Sequence, residues 1–158
     1  MGRRTRPTSL RSFRPEAAPL FLVLLSILLT SSIATAGEIA PGLQRLLDSS
    51  PPDQPLRVLV VMEDRVDIAA LSAELKAAKA TRGHRHRVVM EALQAKAATS
   101  QRDLHRELTS LKAAGVVRSV HAHWLVNGMV VAATPDIVRS LAARPGVARI
   151  EPDLTVEL

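Results

Sequence analysis

Cysteine and tyrosine are absent from this chain of 158 residues, which holds only two phenylalanines and one tryptophan. Without cysteine there is no disulfide and no thiolate nucleophile, so burial alone must hold the fold together. Both phenylalanines, Phe13 and Phe21, precede residue 37, which leaves Trp124 as the one aromatic of the remainder. RNA-binding modules that stack bases on sheet aromatics are disfavoured on that ground. No G-x-G-x-x-G, phosphate loop or G-x-S-x-G elbow occurs. The later serines (Ser49, Ser50, Ser72, Ser100, Ser110, Ser119, Ser140) fall in linker, helix or strand patterns. The chain therefore reads as a non-enzyme, with no catalytic residue and no cofactor.

Net charge is +6, but residues 1–36 carry five arginines and one acid. Beyond them stand sixteen basic and fourteen acidic residues, so the surplus belongs mainly to the amino terminus and a nucleic-acid partner loses its support. That terminus has the form of a secretion signal: arginines up to Arg14, the apolar run APLFLVLLSILL at 18–29, then the small-residue stretch SSIATA. Ala34 and Ala36 fit the A-x-A cleavage pattern and predict a mature start at Gly37, with the product secreted or periplasmic and only transient membrane contact. The uncharged stretch 17–36 is also nearly long enough to stay as an anchor.

Residues 37–55 combine a short helical piece, Leu43–Leu47, with a Ser/Pro-rich break, and read as a linker leading into the domain. LRVLVVM at 56–62 is a continuous β-branched run, the pattern of a central strand buried on both faces. Residues 67–80 suit a short helix, and 84–114 carry the longest helical stripe, through Val89, Leu93, Ala97, Leu104, Leu108 and Leu111. One bent helix or two in succession satisfy it, with Gly115 as the stop. A strand at 116–126, a tight turn at Asn127-Gly128 and a return strand at 129–134 follow. Thr134-Pro135-Asp136 opens a helix that ends at Arg144-Pro145-Gly146, and 147–152 is the last strand. The order strand, helix, strand, strand, helix, strand predicts an α+β, ferredoxin-like split β-α-β fold, a four-stranded antiparallel sheet with two helices on one face.

Five histidines are present. His84 and His86 open the long helix, His105 lies on it as a solvated position, and His121 and His123 share one face of a strand. Two histidines at i, i+2 do not complete a metal site without further ligands, and exposed imidazoles on a polar strand face are the simpler reading. A pH-responsive role for the group is a further reading. Glu151 and Asp153 bracket Pro152; as a solvated strand end they do nothing, but carboxylates on an extended segment also suit the N-termini of another protein's helices.

WLVNGMVVAATPDIVRSLAARPGVARIEPD (124–153) resembles the second half of the propeptide of subtilisin-like serine proteases, a peptidase-inhibitor family. The resemblance spans roughly 56–158. It is carried by Trp124-x-x-Asn127-Gly128, by Ala142-x-x-Pro145-Gly146-Val147-x-x-Ile150-Glu151-x-Asp153, and by the helix HRVVMEALQAKAATSQRDLHRELTSL with its Ser100-Gln101. It implies a propeptide-like domain at 56–153 whose sheet packs on two surface helices of the protease, capped by Glu151 and Asp153. It also implies an extended tail, Leu154, Thr155, Val156, Glu157 and Leu158, that enters the active-site cleft like a product. Such domains assist folding of the protease and inhibit it, in cis or in trans. The chain ends where a linker and a protease domain would follow, so it stands either as a free inhibitor or as the pro-region of a longer precursor. Two other classes remain open: a small-ligand or metal-binding envelope domain built on His121 and His123, and an envelope-anchored structural domain.

Overall fold

The computed structural model describes residues 36–153. Most of the proposed signal, including Ala34, and the tail Leu154–Leu158 lie outside the described residues. Elements run β1 (Glu38–Ile39), α1 (Pro41–Ser49), β2 (Leu56–Met62), α2 (Ile68–Ala77), α3 (Arg82–Ser100), α4 (Arg102–Ala113), β3 (Val117–His123), β4 (Gly128–Ala133), α5 (Pro135–Ala142) and β5 (Val147–Pro152). The sheet order is β1-β5-β2-β4-β3. Its last four strands pair antiparallel throughout, with β2 and β4 at the centre. That is the α+β ferredoxin-like arrangement, each β-α-β crossover being split by a strand from the other.

Two differences from the sequence expectation concern its edges. The sheet has five strands rather than four, because Glu38–Ile39 pairs parallel to Arg149–Ile150. Ala40 N–H also donates to Ile150 O at 2.9 Å and Gly37 N–H to Ala142 O at 2.6 Å. Residues 37–49 of the entry segment are thus folded into the sheet and core, and the exposed residues 51–55 connect them to β2. Pro41 sits in the first turn of α1, where its missing N–H costs nothing, and Leu43 and Leu47, both fully buried, project into the core. Pro51-Pro52 stops the helix. Arg139 reaches from α5 to Asp48 of α1 at 3.0 Å. The Asp48 carboxyl is held below its ordinary pKa, first by the Gln44 amide and then by Arg139.

One face of the sheet, through Val58, Val60, Met62, Met129, Val131, Val147 and Ile150, forms a single core with Leu43, Leu47, Leu104, Leu108, Val138 and Leu141 of the helices. The stripe at 84–114 resolves into two abutting helices whose backbone ladder continues across the joint, Gln101 N–H to Ala97 O and His105 N–H to Gln101 O. Thr134 stands at the N-cap of α5, but its side chain makes no capping bond.

The β3–β4 connection differs from a two-residue Asn-Gly turn. Trp124, Leu125, Val126 and Asn127 form the loop, and Gly128 is already strand, paired with both Val61 and His123. Asn127 alone takes positive φ, 46°. Gly128 is needed for another reason: a Cβ there would lie 2.6 Å from the Val60 carbonyl oxygen, a backbone atom of the adjacent strand that cannot swing away. Gly128→Ala is expected to destabilise the domain by about 2 kcal/mol, as overpacking does, measured by chemical denaturation.

Candidate functional site

Alternation along each strand leaves a second sheet face, whose residues are not part of the core cluster. The register sets half-buried Glu151 beside Leu59, Leu59 beside Val130, and Val130 beside His121. A second row runs Arg149, Val61, Gly128, His123, and a third places Arg57 beside Ala132 and Ala132 beside Ser119. The centre of this outer face is apolar, with Leu59, Val61, Val130 and Ala132, and its rim is charged or imidazole-bearing.

The two acids singled out from sequence both belong to this outer face, because Pro152 between them points toward the core side opposite Val58. Neither carboxylate is bare. Asp153 Oδ2 accepts from Arg57 Nε at 2.9 Å and Nη2 at 2.6 Å, while Arg149 Nε lies 2.8 Å from Glu151 Oε1. Among the described residues each pair engages one carboxylate oxygen and leaves the other for an external donor. The Asp153 side chain keeps 26% of its surface and that of Glu151 36%, so both pairs are solvated and contribute little to stability. Their geometric effect is to hold two carboxylates in fixed directions beside the apolar strip. Arg57 and Arg149 are further site residues; their signal in the sequence is the single charge of β2 and the Arg-x-Glu alternation of β5.

A second constellation supports the loop at the end of this face. Asn127 is 4% exposed and Gln101 5%, and among the described residues these are the buried polar side chains. Gln101 Nε2 donates to Asn127 Oδ1 at 2.8 Å and to His123 O at 3.2 Å. Asn127 Nδ2 donates to Asp64 O at 2.7 Å and to Ser100 Oγ at 2.9 Å, and Met62 N–H donates to Asn127 O at 2.9 Å. Thus the loop after β3, the α3–α4 joint and the exit from β2 meet on one amide. Trp124 lies in the loop half-buried and lines an open groove of about 510 Å³ with Ala97, Ala98, Gln101 and Ala122. Leu125 and Val126 next to it are exposed at 63% and 48%.

His121 and His123 lie exposed on the outer face of edge strand β3. Among the described residues no group of three or more His, Asp or Glu side chains is placed to hold a metal ion, which leaves the metal-binding alternative without a ligand set there. His84 and His86 are exposed on the first turns of α3. Ala36 and Gly37 precede β1, with Gly37 tied to Ala142 as described. Among the described helices none is long and apolar enough to cross a membrane.

No curated protein and no solved structure matches the chain. A family model does, that of peptidase inhibitor I9, over residues 57–158. Its span begins at Arg57, takes in both crossovers of the ferredoxin-like sheet and includes the Asn127 hub and the Glu151–Asp153 pair. The chain therefore belongs to the peptidase inhibitor I9 family, the propeptide and inhibitor domain of subtilisin-like proteases.

Proposed function

We propose that this chain is an exported inhibitor and folding assistant of a subtilisin-like serine protease, in cis or in trans, and is not itself a catalyst. In this reading the outer face of the sheet docks on the protease. Glu151 and Asp153 cap the N-termini of two of its helices, and Leu154, Thr155, Val156, Glu157 and Leu158 run into the active-site cleft. The observation that carries the docking surface is the shared face of the two carboxylates and the apolar strip Leu59, Val61, Val130 and Ala132. Leu59 is half-buried, and Val61, Val130 and Ala132 keep only 3%, 8% and 5% of their surface, so the strip gives a flat apolar platform to pack against rather than a large area left to bury. A carboxylate with one free oxygen suits the outward N–H groups and positive dipole end of a helix. The arginine pairs reduce the rotamer freedom that binding would otherwise have to remove. Export is supported by the basic, apolar and small-residue regions of 1–36.

The test is the inhibition constant of the double variant Glu151→Ala/Asp153→Ala. Each lost cap is expected to cost about 1 kcal/mol, so inhibition weakens by roughly tenfold or more while the unfolding midpoint moves little. An unchanged constant would mean that neither acid touches the protease.

A further inference from the structure

The charge surplus of the described residues is gathered on an arm that the protease-binding face does not use. From Glu63 to Ala92 no residue is buried. Helix α2 has no buried residue, and α3 buries only Leu93 and Ala97, in its second half. The arm therefore adds nothing to the core, and its tip, KAAKATRGHRHR at 76–87, contains Lys76, Lys79, Arg82, Arg85 and Arg87 with no acid. Residues 36–153 hold sixteen Lys or Arg and thirteen Asp or Glu, so apart from the tip they are net −2. Elsewhere among the described residues six of the eleven arginines and lysines pair with carboxylates; none of the five tip cations does. Lys76 of α2 and Arg82, Arg85 and His86 of α3 instead converge, with Ser72 and Val89, on one groove of about 300 Å³. A helix surface kept merely soluble mixes signs at i, i+4; like charges so spaced repel, and an anion in the groove relieves that repulsion.

We propose that this tip binds an anionic glycan, a polysaccharide bearing repeated sulfate or phosphate groups. Arg82 to Arg87 extends about 7.5 Å along α3 at the helical rise, and with Lys76 and Lys79 the patch outspans a single oxyanion. Guanidinium forks match sulfate and phosphate oxygens in pairs. A bilayer is the poorer fit, because the large exposed apolar residue of the arm is Ile68, at the start of α2 and away from the tip, and an interfacial helix needs an apolar face to insert. A single-stranded nucleic acid is poorer too, since residues 63–100 contain no Phe, Tyr or Trp as a stacking platform and offer only the imidazoles of His84 and His86.

The probe is fluorescein-labelled heparin, titrated with the purified full chain at physiological salt and followed by polarisation. Binding that weakens with salt is expected, and Lys76→Ala/Arg82→Ala/Arg85→Ala lowers affinity by about tenfold or more, as loss of several ionic contacts does. Arg102→Ala/Arg106→Ala/Arg118→Ala, which removes the same charge elsewhere, changes it less than about twofold. Circular dichroism confirms that both variants are folded. Equal losses in the two variants, or no loss in the first, overturn the assignment of a site. Phosphatidylglycerol vesicles or single-stranded DNA binding as tightly as heparin overturns the assignment of a glycan.

Discussion

Removing Leu154–Leu158 is expected to abolish inhibition of a subtilisin-like protease, raising the inhibition constant by a hundredfold or more, while thermal unfolding stays where it was. The expectation follows from what each part contributes. In the proposed complex the folded domain supplies the docking face; its last strand ends at Pro152, and Asp153 N–H still donates to Arg57 O at 3.1 Å, which holds the chain to the sheet as far as residue 153. A segment delivered in extended form adds its main chain to a cleft edge with little ordering cost, and its alternate side chains fill pockets. Val156 or Leu158 is the apolar anchor in this reading. A hundredfold corresponds to about 2.7 kcal/mol, the scale of one buried apolar side chain with its hydrogen bonds. Stability is expected to change little because the core cluster of the described residues is built from Leu43 to Ile150. Inhibition that survives the deletion would place the contact wholly on the sheet and overturn the cleft model.

Asn127→Ala is expected to be the most destabilising polar substitution in the domain, at about 3 kcal/mol. The side chain lost is an acceptor for Gln101 and a donor to Asp64 O and Ser100; each buried partner left unsatisfied costs about 1–3 kcal/mol. Alanine must also hold φ near 46°, a left-handed conformation that costs an L-residue about 1–2 kcal/mol. Asn127→Gly separates the two effects, since glycine tolerates the dihedral but restores no hydrogen bond, and should recover roughly 1 kcal/mol of the loss. Urea unfolding of the three proteins measures this: the midpoint falls in the order Asn, Gly, Ala with the slope unchanged. An Ala variant as stable as the original would mean that solvent replaces the hub at no cost. Such a variant also loosens Trp124, Leu125 and Val126.

The central sheet was legible because its signals are local. LRVLVVM is a β-branched run, the helix stripe recurs at helical spacing and ends at Gly115, and Pro145-Gly146 punctuates the start of β5. What escaped reading is non-local. Two residues, Glu38 and Ile39, become a strand only because β5 offers an open edge. The helix Pro41–Ser49 is short enough that its Pro and Ser flanks suggested a linker, and only packing of Leu43 and Leu47 reveals it as part of the core. Asn127-Gly128 looks like a turn dipeptide, yet the pair divides its work: Asn127 bends the chain and ties three segments together, while Gly128 lets β2 pass close by. The alternation that gives β2 an outer face was hidden, because Leu59 and Val61 are as apolar as the residues they alternate with.

For Glu151 and Asp153, sequence supplied their spacing and the structure their shared face and arginine partners. No sequence pattern could have indicated that Arg57, 96 positions earlier, fixes Asp153. The basic run at 76–87 is hidden in the near-balanced charge of the residues beyond 36, and only the fold gathers part of it around one groove.

The most direct test of the account is a titration of the purified protein into a subtilisin-like protease while hydrolysis of a peptide substrate is followed. The account predicts stoichiometric or slow-onset inhibition that is weakened by Glu151→Ala/Asp153→Ala and lost with Leu154–Leu158. Full proteolytic activity in the presence of excess folded protein, across a panel of subtilisin-like proteases, would contradict it.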